Sequence, residues 1–382
     1  MAFDKIYQYN FPTTIRFGAG SSNELGSYLK KNKLSKPLIV TDPLVAQLGF
    51  FKKIVSSLQA AGISVEVFCN IHKNPVKSDV YNGTGVYDNT SRDAVIGIGG
   101  GAALDVARAI TLRVFHREDL FKYDDLIGGD VYVTNDVPHF ITIPTTAGTG
   151  SEVGRSAIIA DDETHQKKIL FSPKLLAKIV FADPLLTMDI PPAITAATGM
   201  DALTHNLEAY LVNMEHPMCD GIALQAISLI NESIEKAVKN PDVESRSKML
   251  IASLMGAVAF QKGLGVVHSL AHPLSSLLDT HHGLANAVNL PYGMKFNISG
   301  QESKFKKIAE TLQLTNNDGD AVVKYLFDLN TAINIPHRLS AIGVKEEHVE
   351  TLADLAIADF AHPNNPIPVS REDFKQLYLE AL

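Results

Sequence analysis

The stretch "AVIGIGGGAALDVARAI" (94–110) decides the fold class. Its first half is a run of β-branched residues and small residues, as a strand buried on both faces requires. Three consecutive glycines, Gly99, Gly100 and Gly101, then break the pattern, and the second half has the apolar spacing of a helix. The glycines thus stand between a strand and a helix, a tight strand-to-helix turn. Similar strand-like runs lie on either side, at "PLIVTD" (37–42), "VEVFC" (65–69), "HFITIPT" (139–145) and "KIVFADP" (178–184). Strands alternating with helical segments imply a parallel sheet with helices on both faces, an α/β Rossmann-like architecture. "SAIIADDETHQKKILFS" (156–172) departs from this rhythm and reads as a hairpin turning at "DDET".

Beyond "MDIPPAITAAT" (188–198) the strand signal fades. Long stretches with helical apolar spacing take over, at 194–212, 220–238, 246–260 and 304–314. The expected organisation is therefore an α/β domain over 1–186 and an all-α domain over 187–382.

Composition narrows the class of partner. With 382 residues, 46% hydrophobic and 20% charged, the chain can bury two cores. A net charge of −8 argues against nucleic acid or an anionic membrane as a partner. Two distant cysteines, Cys69 and Cys219, do not make a disulfide framework and suit a reducing compartment. "MAFDKIYQYNFPTT" (1–14) lacks the basic and apolar regions of a secretory signal, and no run of about 18 apolar residues is present. A cytoplasmic protein without a membrane span is expected.

The glycine turn fits a dinucleotide fingerprint through Gly97, Gly99 and Ala102, since glycines let a pyrophosphate approach helix N–H groups. It equally fits a tight turn with no ligand. The acid that meets the ribose normally follows such a loop by about 20 residues. Here the strand-ending acid, Asp42, comes well before it, so Asp42 is either a ribose ligand in another chain order or a helix cap. A second polar loop, "IPTTAGTGSEVG" (143–154), offers Thr145, Thr146, Thr149 and Ser151 to a cofactor or to its own backbone. Asp105 and Lys167 are further candidates for cofactor contact.

Histidine is concentrated in the second half. "HSLAHPLSSLLDTHHG" (268–283) holds four of the thirteen histidines. His268 and His272 are four residues apart, as are Asp201 and His205 in "GMDALTHNLEAY", so each pair shares one helix face. A helix end or loop after "PLSSLLD" can return His282 to the same place. One carboxylate with several imidazoles suits Fe²⁺ or Zn²⁺, although spacing alone leaves surface pairs or satisfied core histidines open.

Taken together, "GIGGGAALDVARAI", "IPTTAGTGSEV", "GMDALTHNLEAY" and "HSLAHPLSSLLDTHHGLANAVNLP" resemble the iron-containing (group III) alcohol dehydrogenases, in order and over essentially the whole chain. The resemblance implies an NAD-binding first domain and a helical second domain whose metal ligands are Asp201, His205, His268 and His282. It matches His272 to a non-ligand histidine near the nicotinamide, which makes His272 a candidate proton relay. Asp42 matches the ribose-binding acid, which would repel a 2′-phosphate and favour NAD over NADP. Asn74 matches a cofactor-proximal asparagine, and Gly99, Gly100 and Gly101 match the pyrophosphate cradle. Ala102 stands where serine is usual, Arg108 for a common lysine, Gly154 for a common threonine, and His281 for a common proline. The changes at Ala102, Arg108 and Gly154 imply weaker or slightly altered cofactor contacts with binding retained, because the backbone donors remain, whereas His281 is either a bystander or a residue that tunes His282 or the pocket entrance.

The implied activity is hydride transfer between NAD(H) and small primary alcohols, diols or hydroxy acids. A homodimer or larger homo-oligomer is implied as well. Lys262, in "AFQKGLGVVH" (259–268), could anchor a carboxylated substrate, or be solvated or paired with a structural acid. A glycerol dehydrogenase-like polyol enzyme is the nearest alternative. A dehydroquinate synthase-like lyase would need cationic side chains that these loops lack, and a non-enzymatic metal protein would leave both glycine loops unexplained.

Overall fold

The computed structural model describes residues 13–164 and 166–382, so the stretch 1–12 read for a targeting signal and His165 of the hairpin lie outside the described residues. The chain divides into two compact units. One comprises residues 13–146 with Gly150–Asp189, and the other Ile190–Leu382 with the short loop Ala147–Thr149.

The first unit is built on six parallel strands: β1 (Thr14–Phe17), β2 (Pro37–Val40), β3 (Glu66–Phe68), β4 (Ala94–Gly99), β5 (His139–Pro144) and, after a hairpin, β8 (Ile179–Ala182). Their order across the sheet is β1-β8-β5-β4-β2-β3. Every residue of β4 is buried, which is why its sequence shows no polar alternation. Its side chains still divide between two cores. Val95 joins Leu38 and Val40 beneath α3 (Lys77–Asn89) and α4 (Gly101–Phe115). Ile96 and Ile98 join Ile39, Ile141 and Ile143 beneath α1 (Leu25–Lys31) and α2 (Gly49–Ala60). The hairpin pairs β6 (Ser156–Ala160) with β7 (Lys167–Phe171) antiparallel, as its sequence suggested.

Strand order explains the early acid. From β2 the chain winds outward to β3, then returns to lay β4 on the other side of β2. The connections therefore reverse direction between β2 and β4, and open α/β sheets bind ligands at the carboxyl ends of strands at such a reversal. Asp42 follows β2 and the three glycines close β4, so residues far apart in sequence become neighbours across paired strands, with Val40 opposite Gly97.

The second unit is helical: α5 (Pro192–Leu211), α6 (Pro217–Lys239), α7 (Val243–Ala259), α8 (Val266–Leu278), α9 (His282–Phe296), α10 (Glu302–Thr311), α11 (Gly319–Ala332), α12 (Val349–Ile357) and α13 (Arg371–Ala381). Helix α5 is buried on almost every face and packs against α6, α7 and α9. A helix so enclosed should be apolar all round. Instead it buries Asp201, Thr204, His205, Asn206 and Glu208, so something must compensate these polar groups. Its C-terminal carbonyls are capped by Lys304, whose Nζ donates to Tyr210 O (3.1 Å), Leu211 O (2.8 Å) and Val212 O (3.1 Å). No single helix among the described residues is long and apolar enough to cross a membrane.

Candidate metal centre and nucleotide loop

In the sheet-containing unit the loop is assembled largely from backbone. Gly99 has φ 152°, and a Cβ there would stand 2.7 Å from Ala103 Cβ and 3.4 Å from Asp42 Oδ2, so only glycine closes this strand. A Cβ on Gly100 would meet Thr146 Oγ1 at 3.2 Å. The first turn of α4 then presents its N–H groups, which no intrahelical carbonyl satisfies. Asp42 Oδ1 accepts from Leu44 N and Val45 N, both at 2.9 Å. Oδ2 has no hydrogen-bond partner among the described residues and faces Gly99. Two buried hydroxyls at strand ends, Thr41 Oγ1 and Thr145 Oγ1, are likewise without partners. Orphaned acceptors and donors around a glycine-lined turn are what a polyhydroxylated, phosphorylated ligand would satisfy.

Other loop candidates are already engaged. Asp105 Oδ1 accepts from Ser151 Oγ (2.7 Å) and Arg108 Nη1 (3.1 Å), and its Oδ2 accepts from Ile158 N (3.0 Å). Burial pushes the Asp105 carboxyl up, and the Arg108 charge opposes it. Arg108 is completely buried and also donates to Ser156 O (2.8 Å) and Ser151 O. This pair straps α4 to the polar loop and to the hairpin. Asn74 sits in the turn before α3, where Asp79 Oδ2 accepts from His72 N (3.2 Å) and Val76 N (3.0 Å). Lys167 lies on β7 opposite Ala160.

In the helical unit the centre is made of side chains. Asp201 and His205 project from one face of α5, and His268 from α8; ligand atoms of the three lie within 4.8 Å of one another, all buried. His205 Nδ1 donates to Asp201 O (2.8 Å), which leaves Nε2 as an acceptor. His268 Nδ1 faces Glu208 Oε2 at 2.6 Å, which does the same for its Nε2. The two Nε2 atoms meet at 3.1 Å, lone pair toward lone pair. Two nitrogens each about 2.1 Å from a tetrahedral ion stand roughly 3.4 Å apart, so the separation suits a shared cation.

His282 opens α9, after α8 ends at Asp279 in the left-handed conformation (φ 51°). Its Nε2 lies 3.5 Å from Asp201 Oδ1. Gly283 permits that approach, because a Cβ there would stand 2.4 Å from Ala197 O on α5. Asn286, one turn on, donates through Nδ2 to Asp201 Oδ1 (2.8 Å) and lies 3.3 Å from His268 Nε2 and 3.1 Å from His282 Nε2. One amide thus faces a carboxylate and two imidazoles. The cluster is rich in acceptors and poor in donors, and a divalent cation would balance it. Burial would push the Asp201 carboxyl up, but His205, His282 and His268 hold it well below the usual range. Burial drives the His268 pKa well down, with His205 adding to it, so its imidazole is neutral.

Thr149 and Lys262 each have a carboxylate partner in the helical unit. Thr149 Oγ1 donates to Asp201 Oδ2 at 3.1 Å. Lys262 is buried and paired with Asp220. His281 is the N-cap of α9, its carbonyl accepting from Ala285 N (3.0 Å). His272 points its Nδ1 at Asp359 Oδ2 (2.8 Å).

Four polar residues that the sequence reading passed over now join these sites: Thr41, Glu208, Asn286 and Asp359. Glu208 was within reach, because it continues the Asp201–His205 face of α5 by one more turn. It holds His268 from behind and accepts from Val267 N (2.7 Å). Burial pushes its carboxyl up to about 7 against the pull of these donors.

Comparison with known proteins adds an independent line. A family model described as "Iron-containing alcohol dehydrogenase" matches residues 12–184, and its counterpart for the C-terminal part of "Fe-containing alcohol dehydrogenase family" proteins matches 195–382. A 4-hydroxybutyrate dehydrogenase of Cupriavidus necator is 33% identical over 97% of this chain and 98% of its own. An NAD-dependent methanol dehydrogenase of Bacillus methanolicus is 34% identical over the same shares, 97% and 98%. The crystal structure of a 1,3-propanediol oxidoreductase superposes with a TM-score of 0.93 at 33% identity, covering 99% of this chain and 100% of that one.

Proposed function

This chain belongs to the iron-containing alcohol dehydrogenase family, and from that premise we propose that it is a metal-dependent, NAD(H)-linked alcohol dehydrogenase and aldehyde reductase for small primary alcohols, diols or hydroxy acids. The observation that carries the reading is the buried acceptor cluster of Asp201, His205 and His268, with His282 beside it. Asp201, His205, His268 and His282 hold Fe²⁺ or Zn²⁺. Asp42, Asn74, Thr145, Thr146 and the backbone of Gly99, Gly100, Gly101 and Ala102 hold NAD, with Lys167 reaching from the hairpin. Asp105 acts by strapping α4 to the polar loop, and Thr149 by fixing the Asp201 carboxylate.

Bound in these sites, the cation supplies Lewis acidity toward the substrate oxygen and the nicotinamide supplies or accepts the hydride. The protein's own part is positioning and proton handling. Neutral imidazoles and one carboxylate leave a divalent ion a net positive charge. His272, held by Asp359, would relay the alcohol proton toward solvent. The free Asp42 oxygen accepts from ribose hydroxyls and repels a 2′-phosphate. Lys262 is spent on Asp220, so short neutral aldehydes are the better substrates, ahead of carboxylated ones. We also propose a homo-oligomer, which the exposed edge strand β1 favours, in a reducing, cytoplasmic setting, which two unbridged cysteines favour.

The test is NADH oxidation by propanal, glycolaldehyde, lactaldehyde and succinic semialdehyde, using apo-protein reloaded separately with Fe²⁺ and Zn²⁺. Metal-dependent turnover, faster with the neutral aldehydes and faster with NADH than NADPH, is expected. No turnover with either metal in protein that binds NADH would overturn the proposal.

A further inference from the structure

His272, like His268, sets its Nδ1 against a buried carboxylate. Its Nδ1 lies 2.8 Å from Asp359 Oδ2. Asp359 follows α12, and its other oxygen accepts from Ser269 Oγ (2.6 Å) and from Ala361 N (2.9 Å). Ser269 Oγ in turn accepts from His362 N at 2.9 Å, so its own proton is directed at Asp359. A carboxylate receiving these donors is an acceptor only, and the Nδ1 it faces must carry a proton. The ring plane is fixed as well. Phe360 stacks on one side at 5.3 Å and 28°, and His282 lies nearly parallel at 5.3 Å and 13°.

We propose that Asp359 is a positioning residue that holds His272 as the Nδ1–H tautomer, with Ser269 orienting the carboxylate and Phe360 fixing the ring, so that Nε2 is kept as the proton-accepting atom. The inference rests on reading His272 as the proton relay. The logic parallels a catalytic aspartate that selects one imidazole tautomer for a histidine base. A bridge serving only to join α8 to the segment after α12 would need neither the second donor chain through Ser269 nor the stacked Phe360. His272 is also one helical turn from His268, its ring lies beside those of His268 and His282, and Asp359 engages its Nδ1.

The substitution that separates the two roles is Asp359→Asn. An amide of the same shape can donate to Nδ1, which returns the proton to Nε2. The primary readout is the ¹⁵N spectrum of histidine-labelled protein without added metal, the His272 signals assigned by their loss in His272→Gln. We expect an Nδ1–H pattern in the wild type and an Nε2–H pattern in Asp359→Asn. In the metal-loaded enzyme, aldehyde reduction by Asp359→Asn should lose about 100-fold in kcat or more, with KM and NADH affinity within about twofold. Asp359→Glu should recover part of kcat, and Ser269→Ala should cost a few-fold.

An Nε2–H wild type overturns the proposal, and this arm needs no variant to fold. An unchanged tautomer in a folded Asp359→Asn overturns it even if kcat falls, and so does an unchanged kcat. Failure of the wild type to turn over any aldehyde would count against the proposed function instead, and the spectrum would still decide the role of Asp359.

Discussion

The nucleotide loop and the metal centre solve the problem of binding in opposite ways. At the loop the donors proposed to face the ligand are backbone N–H groups, and the side chains that matter are those left out: Gly99 cannot carry a Cβ without meeting Ala103. At the candidate metal centre everything is side chain, and three of the four proposed ligands are gripped from behind: His205 by its own helix backbone, His268 by Glu208, and Asp201 by Asn286 and Thr149. A site built from backbone tolerates changed side chains around it, so Ala102 in place of a serine leaves the backbone donors of the proposed cradle in place. A site built from gripped side chains does not.

That contrast orders the expected effects. Asp201→Ala should be the most damaging change, because it removes the anionic ligand and leaves buried imidazoles facing one another. Metal affinity, followed by competition with a chelating dye, should fall by more than about 100-fold and turnover with it, while NADH binding stays intact. Glu208→Gln keeps the shape but weakens the grip on His268, and loss of such an outer partner typically lowers metal affinity by about 10–100-fold. If Glu208→Gln binds metal as tightly as the wild type, the outer grip does not matter and the contrast weakens.

The loop should show the reverse pattern. Gly99→Ala forces a Cβ to 2.7 Å from Ala103 and a non-glycine residue to φ 152°. NADH affinity should drop about tenfold and stability by roughly 1–3 kcal/mol, with metal content unchanged. A smaller effect is expected from Glu152, buried in the polar loop with Oε1 lacking a partner. Burial raises its carboxyl from the ordinary range to about 7, with its own backbone N–H and Arg108 opposing. An unfolded chain titrates this group near 4.3. Between those values the folded state holds a proton that the unfolded state has lost, so stability falls as pH rises from about 4.3 to about 7. Glu152→Gln should flatten that part of the Tm–pH curve, and an unaltered slope would show that the carboxyl ionises freely.

The two regions also differed in how far they could be read in advance. Strands β2, β4, β5 and β8 were legible because each is a buried apolar run bounded by turn residues. β1 was not: "TIRF" is short, largely exposed at the sheet edge, and becomes a strand through its pairing with β8. Helices α8 and α9 carry internal prolines, Pro273 and Pro291, which locally argue for breaks, and burial of both helices overrides that signal. At the sites, the Asp201–His205 spacing placed both side chains on one helix face but left a surface pair or a core histidine open. Asp42 looked like a choice between cap and ligand because sequence cannot assign the two oxygens of one carboxylate separately. Arg108 looked like a departure at a cofactor contact, and burial makes it the strap between α4 and the polar loop. Asp359 left no local trace, since its partner His272 is 87 residues away and only the folded chain brings them together.

The most direct test of the central claim is anomalous diffraction from crystals of the reloaded protein, with data collected on either side of the zinc or iron edge. One strong peak within bonding distance of an Asp201 oxygen and of Nε2 of His205, His268 and His282 is the predicted result. A peak held by other residues, or a fully loaded and active enzyme with no peak at these four, would contradict it.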